Sequence, residues 1–475
     1  MNKIVFVILS ILPNLVLSQN LEQIEKEIIN DETATISQST AKLISLNEAI
    51  EEGLRRNNLE VLRKYEFQLN ELDYQDAFEE FFFPKLTLSM NTTGNHFVEN
   101  LYRDSIENAS SSKTPQGLIG LGFEEYSLFN WGRDYLTYLN SKNSYERTKQ
   151  RLKEQRRELR YSIIANYFNL SRLFKIVKIQ KKQLSHTSFI YRLAKEKISL
   201  RKINSQEFLQ AKSEFLDSHR RYQSALFDYY KQQQIFADLL ADKLKTSYRP
   251  SDTLKFKPIT IGPNESKKLV TRNQPRILEA RLNAENASRD YQRVLKENLP
   301  LPKISLRLGT YQRGFSTEGL EDSYNTLQNS RNVEIAASLN MTWTIYGSGG
   351  FFNSRVTERA YYGKRIAEIR LKEAHRESMV SNTLTHSRIR YLEKEFTASK
   401  AQLKNARLVF DKAIDNYIAG RTTFANMKLI LNDLNSAATH FEDVKYEHLV
   451  EKVSYASLMG IDDFPGEKFD NLVEK

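Results

Sequence analysis

The seven histidines, His96, His186, His219, His375, His386, His440 and His448, are the first candidates for metal or proton chemistry, and they are scattered along the chain. His375 and His386 fall on one helix face, but no His-Glu-x-x-His pattern completes a zinc site around them. There is no cysteine, which removes thiolate metal ligands, a cysteine nucleophile, disulfides and a lipid-anchored N-terminal cysteine. No Gly-x-Ser-x-Gly elbow is present, and no phosphate-cradling loop. Carboxylates are abundant, yet none stands in an apolar context that would tune it as an acid or base. The sequence therefore offers no catalytic residue, no cofactor site and no metal site, and it reads as a non-enzyme. What remains is a pair of short turns, Ser199, Leu200, Arg201 and Ala419, Gly420, Arg421, each following a very long helical stretch and each carrying an arginine. An arginine there is either a directional donor toward a partner or a solvated cation favourable to a helix C-terminus.

The bulk composition sets the frame for those turns. Hydrophobic residues make up 40% and charged residues 27%, so the chain can bury a core. The net charge is +11, but 70 Lys and Arg are interspersed with 59 Asp and Glu, as on solvated helix faces laced with ion pairs. No basic block with interleaved aromatics suggests a nucleic-acid partner. Glycine (17) and proline (10) are scarce, favouring long uninterrupted elements. Residues 1–18, with Lys3 ahead of an apolar run from Ile4 to Leu12 and then Val16 and Ser18, read as a secretory signal, so that the mature chain starts at Gln19. No later stretch reaches the roughly 18 apolar residues of a membrane-spanning helix. An exported chain of this kind is periplasmic, secreted, or a barrel in the outer membrane.

The chain repeats itself once. The landmark pairs Asn57/Asn273, Pro84/Pro302, Gly132/Gly349 and Arg201/Arg421 are separated by 216, 218, 217 and 220 residues. The expected organisation is a signal (1–18), an N-terminal extension (19–42), a first repeat (43–245), a proline-containing linker (246–262), a second repeat (263–460) and a tail (461–475). Residues 19–42 and 461–475 carry no pattern that assigns them structure, and 19–42 reads equally as an ordered arm or an extension.

Each repeat has the same order of elements. A helix opens at Ser45 with Glu48 as a capping box, is interrupted near Asn57 and Asn58, resumes to Phe82 and ends before Pro84. A strand follows, with Leu86, Leu88 and Met90 alternating against Thr87, Ser89 and Asn91. A polar loop covers 96–116, a second strand 117–129, and Gly132 opens a helix without glycine or proline from Arg133 to Leu200. At ~1.5 Å per residue that helix is on the order of 100 Å long. The chain turns at 199–202 and returns to Asp242. In the second half, strands are expected at 303–315 and at 333–345, the latter with Val333, Ile335, Ala337, Leu339, Met341, Trp343 and Ile345 on one face. Gly347, Gly349 and Gly350 turn the chain into a long helix. There Leu392, Phe396, Ser399, Leu403, Ala406, Phe410, Ala413 and Tyr417 recur every 3.5 residues on average, the mark of helix-on-helix packing. Four strands cannot close a barrel and open edges are not tolerated in lipid, so several chains must join; two or three copies would each serve.

The motif order resembles the TolC family of outer-membrane efflux proteins over residues 43–460. The resemblance rests on the repeat start Leu46–Ala49 with Asn57, Asn58, Leu59, Glu60 and Val61, and on Phe83, Pro84, Lys85 and Leu86 before the first strand. It rests further on the strand-to-helix turn Leu128, Phe129, Asn130, Trp131, Gly132, Arg133, repeated at Trp343–Gly349, and on the hairpin turn Tyr417–Arg421. The resemblance implies an α+β membrane protein made mostly of long antiparallel helical hairpins. A homotrimer would pool four strands per chain into a twelve-stranded barrel in outer-membrane lipid, above a helical tunnel in the periplasm. It also implies docking of the hairpin tips onto a periplasmic adaptor, the membrane fusion protein, and an inner-membrane pump of the RND or ABC type. Ser199, Leu200, Arg201, Ala419, Gly420 and Arg421 are then the docking residues. The family's acidic gate ring falls on Asn426, with Gln206 and the adjacent Glu207 in the first half. This departs from aspartate, implies weaker cation selectivity, and leaves Asp433, two turns on, as a partial substitute. Trp131 and Trp343 read as interfacial belt residues or as core at the strand–helix junction. An exported coiled-coil scaffold would explain the helices but not the alternating strands; an exported enzyme would need a site the sequence lacks.

Overall fold

The structure is a computed structural model describing residues 41–92, 117–123, 125–243, 246–315, 336–343, 354–463 and 468–474. The signal, most of 19–42, the polar loop 96–116, residues 333–335 and 344–345 of the alternating strand, and Gly347, Gly349 and Gly350 lie outside the described residues. The first half runs β1 (Lys42–Ile44), α1 (Leu46–Arg56), α2 (Asn58–Phe82), β2 (Leu86–Thr92), β3 (Gly117–Phe123), β4 (Tyr126–Phe129), α3 (Arg133–Ser199) and α4 (Ser205–Leu239). After β5 (Tyr248–Pro250) and β6 (Thr253–Leu254), the second half runs α5 (Pro263–Asn273), α6 (Pro275–Glu297), β7 (Lys303–Phe315), β8 (Ala336–Thr342), α7 (Ser354–Ile418) and α8 (Phe424–Met459). A 3₁₀ turn at Phe469–Leu472 and β9 (Val473–Glu474) complete it.

The halves match even in their interruptions. The break between α1 and α2 is the single residue Asn57, at φ −64° and ψ 130°; between α5 and α6 it is Gln274, at φ −64° and ψ 125°. Asn57 Oδ1 accepts from Leu59 N–H at 2.8 Å and so caps α2, while its Nδ2 donates to Leu239 O at 2.8 Å. In the second half Pro275 serves at the first helical position, where no N–H is needed. The expected capping box at Ser45 and Glu48 is present.

The contacts divide the chain into two units, one of residues up to Arg63 with Glu154–Gln274 and Ser378 onward, the other of Lys64–Lys153 and Pro275–Glu377. Each repeat supplies part of each unit. The second unit holds an antiparallel sheet in which β3 and β4 both pair with β7, β2 pairs with β3, and β8 pairs with β7. Four rows result. The strand expected over 117–129 is thus two strands, with a register shift on either side of residues 124–125. Glu125 lies between β3 and β4, and its carboxylate accepts from the buried Ser305 hydroxyl. Among the described residues β2 and β8 are each paired on one side only. Trp131 and Trp343 are exposed at strand ends, not core, and Trp131 Nε1 donates to Pro302 O at 2.9 Å. Between α2 and α3 an aromatic cluster forms: Phe81 stacks on Tyr138 at 5.2 Å, Tyr74 on Tyr145 at 4.8 Å, and the Tyr74 and Tyr138 hydroxyls are 3.0 Å apart.

The first unit is built on helical hairpins. The spaced apolar residues are buried as the periodicity requires: Leu159, Ile163, Tyr167, Leu170 and Val177 on α3, and Leu392, Leu403, Phe410, Ala413 and Tyr417 on α7. Segments from near both ends of the described residues pair with the linker. β1 lies parallel to β5, and β9 antiparallel to β6. The described parts of the tail, 461–463 and 468–474, are tied down: Arg160 donates to Asp462 O at 2.6 Å and to Asp463 at 3.0 Å, and Phe469 is fully buried edge-on to Tyr161. It leaves α8 through Gly460 at φ +64°, where an added Cβ would lie 2.4 Å from Asn273 O.

The linker also covers α8. Phe256 stacks on Phe396 at 3.7 Å and lies 4.5 Å from the His448 ring. His448 is fully buried, and burial, with the neighbouring Lys452 cation, pushes its pKa down to about 3. At neutral pH the imidazole is uncharged, so its 4.0 Å approach to Glu393 is not an ion pair. A base with a depressed folded pKa favours the folded state fully above its unfolded value, roughly 6.5, and loses that contribution as pH falls toward the folded value. We expect an acid-destabilising limb between those pH values, at most on the order of 5 kcal/mol. His448→Phe should flatten it in thermal melts recorded against pH. An unchanged slope would remove His448 as its cause.

Candidate functional site at the hairpin tips

Two helix–turn–helix tips face the same chemistry problem: a long helix must end, reverse and restart in five or so residues. In the first, Arg201 N–H bonds Ile198 O at 3.0 Å and Lys202 N–H bonds Lys197 O at 2.8 Å. In the second, Gly420 N–H bonds Tyr417 O at 3.1 Å and Arg421 N–H bonds Asn416 O at 2.8 Å. These are the same paired bonds of a left-handed helix stop, with Arg201 at φ +54° and Gly420 at φ +74° in the left-handed position. Arg201 is therefore the counterpart of Gly420, and Lys202 that of Arg421. The pairing of the two arginines expected from the sequence is off by one residue.

The restart follows the same frame. Asn204 caps α4 by accepting from Glu207 N–H at 2.7 Å, and Thr423 is the N-cap residue of α8. Glu207 thus corresponds to Asn426, while Gln206 corresponds to Ala425. The structure leaves Gln206 and Asn426 exposed, along with Ser199, Leu200, Arg201, Ala419, Gly420, Arg421 and Asp433. Ser199 Oγ donates to Glu196 O at 2.7 Å, closing the last turn of α3.

Glu207 is different from its counterpart. Its Oε1 accepts from Phe424 N–H at 3.0 Å, so a carboxylate of the first hairpin caps the first turn of α8 in the second. In the reverse direction Lys197 Nζ donates to Tyr417 O at 2.6 Å and lies 4.3 Å from the Tyr417 ring centre. Burial lowers the Lys197 pKa, and the Glu207 charge opposes that. Beneath these bonds Ile190, Ala194, Ala211, Phe410, Tyr417, Phe424 and Met427 form a joint apolar core. Further in, the buried Glu214 meets Lys428 at 2.8 Å and Arg221 at 3.7 Å, and Arg172 pairs with Asp443 at 2.6 Å. The tips are held together by polar cross-bonds over an apolar plug.

The sequence reading missed Lys197, Glu214 and Lys428. Glu214 had a signal: it lies on the stripe of Ala211, Phe215 and Ser218 that faces the core, where an acid demands a cation. Lys197 had none, because its acceptor is a backbone carbonyl far away in sequence. Among the described residues no group of three or more His, Asp or Glu is placed to hold a metal ion. No described helix is long and apolar enough to cross a membrane.

No family model matches the sequence, and no curated protein matches it. Solved structures do match. The outer membrane protein VceC of Vibrio cholerae has 14% identity and a TM-score of 0.72, covering 87% of this chain and 96% of its own. CusC, solved in a study of transmembrane channel formation, has 15% identity and a TM-score of 0.73, over 88% of this chain and 92% of its own. The CmeC outer membrane channel of Campylobacter jejuni has 18% identity and a TM-score of 0.67, over 87% and 85%. At such identities the likeness is one of fold, and it bears out at that level the resemblance read from the sequence motifs: this chain folds as the solved outer-membrane channels do.

Proposed function

We propose that this protein is an outer-membrane duct that conducts substrates passively from an inner-membrane pump and a periplasmic adaptor to the exterior. The observation that carries the reading is the sheet. Its four rows end in β2 and β8, each with one unpaired edge among the described residues. Leu86, Leu88, Leu128, Phe129, Leu339, Met341 and Trp343 all expose large apolar side chains. An edge of unpaired N–H and C=O groups in lipid must be closed, and an exposed apolar face must be covered. Three copies meet both demands with a twelve-stranded barrel, as the motif resemblance implies. The exposed tip residues, Arg201 and Arg421 among them, are the docking points for the adaptor. The Lys197 and Glu207 cross-bonds hold the tunnel mouth narrow.

Electron microscopy of the detergent-extracted protein tests this. A three-fold cylinder with a detergent belt at one end is the expected particle; a soluble particle without a belt would replace the duct with a periplasmic scaffold. The mouth carries Asn426 where an acidic ring would favour cations, so Asn426→Asp is expected to raise cation selectivity in planar bilayers. Unchanged reversal potentials would remove Asn426 from the conducting path.

A further inference from the structure

The positive charge of this protein is not spread evenly. From residue 159 to residue 195 the sequence has eight Lys and Arg and no Asp or Glu. Arg160 and Arg172 find carboxylates from other segments, whereas Lys175, Lys178, Lys181, Lys182, Arg192 and Lys195 make no ion pair among the described residues. Residues 175, 178, 182, 189 and 192 recur at steps of three, four and seven, so they lie along one face of α3 over about 26 Å. That face is open: Lys178, Lys182 and Arg192 are exposed, Lys175 is half-buried, and the Phe189 ring is 41% exposed.

At its inner end the stripe gains a further cation from the linker. The Phe174 ring has Lys178 Nζ 4.3 Å and the Arg249 guanidinium 5.1 Å from its centre. Burial lowers the Lys178 pKa, and the like charges of Lys175 and Arg249 lower it further. Like charges crowded around one aromatic ring are mutually repulsive until an anion joins them.

The second hairpin shows what an ordinary face looks like. Counting back from the equivalent tips, Lys175, Lys178, Lys182, Phe189 and Arg192 correspond to Lys394, Thr397, Ala401, Leu408 and Asp411. Leu408 keeps an exposed apolar side chain, with Lys404 and Lys412 one turn to either side, but of the four equivalent cationic positions only Lys394 is kept and Asp411 stands in the place of Arg192. We propose that the Lys175–Lys178–Lys182–Phe189–Arg192 face of α3 is a docking surface for an acidic protein helix, one that lays carboxylates along the lysines and an apolar side chain against Phe189. Charge complementarity names the partner's sign, and the regular helical spacing names its shape. The exposed phenylalanine argues for a protein contact over a water-filled tunnel wall, since aromatic and arginine side chains together mark interfaces. The surface goes beyond the tip docking proposed above and belongs to the first half alone.

The test uses the full chain in detergent and a labelled synthetic helix carrying a glutamate stripe and one leucine, read by fluorescence anisotropy. Binding should weaken as salt is raised. Lys175→Gln with Lys178→Gln and Lys182→Gln should weaken it about tenfold or more, and Phe189→Ala should weaken it even at high salt. The second-hairpin control, Lys400→Gln with Lys404→Gln and Arg407→Gln, should stay within about twofold. Equal losses from both triples, or no binding by the unaltered chain, would overturn the proposal. So would a first-hairpin triple that shifts ion selectivity in bilayers while peptide binding persists, because the stripe would then line the tunnel. Circular dichroism confirms that each variant is folded. A chain that binds the peptide but forms no three-fold particle keeps the stripe and removes the duct; a conducting trimer that ignores the peptide does the reverse.

Discussion

Lys197→Met combined with Glu207→Gln is expected to raise the open probability of the proposed duct in planar bilayers by about thirtyfold. Each substitution weakens or removes one charge-assisted bond between the two hairpins, Lys197 to Tyr417 O and Phe424 N–H to Glu207. At half-buried positions such a bond contributes about 1 kcal/mol, and every 1.4 kcal/mol is tenfold in an equilibrium. The apolar plug of Ile190, Phe410, Tyr417 and Phe424 is untouched, so the fold and thermal midpoint should change little. Two controls frame the result. Asn426→Gln alters the exposed counterpart of Glu207 and should leave open probability where it is. Lys197→Arg keeps a cationic donor and should recover most of the closed state. Equal conductance of the double variant and the unaltered protein would mean that these bonds do not hold the mouth.

Asp252→Ala should be the most destabilising single change in the linker, by about 3 kcal/mol. Asp252 is buried, and its carboxylate accepts from Leu46 N–H at 2.9 Å, from the Tyr167 hydroxyl at 3.0 Å and from Ser251 Oγ at 3.0 Å. Three segments meet there: the start of α1, the linker and α3. Tyr167 also reaches Ile44 O at 3.2 Å, and its hydroxyl pKa is raised, first by burial and then by the Asp252 charge. Removing the carboxylate leaves a buried N–H without its acceptor. Asp252→Asn retains one acceptor oxygen and should cost about 1 kcal/mol, as should Tyr167→Phe, which removes only a hydroxyl. Thermal melts by circular dichroism give the order Ala, then Asn and Phe, then unaltered. An alanine variant that melts with the unaltered protein would show that the linker does not secure the start of α1.

The helices, their period and the duplication were legible from the residues because each is a local or regularly repeated property. Long runs without glycine or proline have one backbone solution, and apolar residues every 3.5 positions have one buried face, as Leu392 through Tyr417 show. The capping box at Ser45 and the stop at Gly420 are likewise short-range chemistry. The split of 117–129 into two strands was not legible, since it shows only in the register of both pieces against β7, a strand remote in sequence. The tip pairing was misread by one residue for a related reason. Sequence alignment matched arginine to arginine, whereas hydrogen bonding matched the left-handed position of Arg201 to that of Gly420. In the linker and the described part of the tail, the two- and three-residue strand pairings have no propensity of their own and were not legible. By itself, then, the sequence determined where the long helices run and that the helix–strand–helix order comes in two copies. Tertiary structure alone decided which charges meet: Lys197 with a carbonyl, Glu207 with a helix start, and Lys178 with Arg249 over the Phe174 ring. Such meetings depend on distances between segments remote in sequence, and no residue pattern encodes those distances.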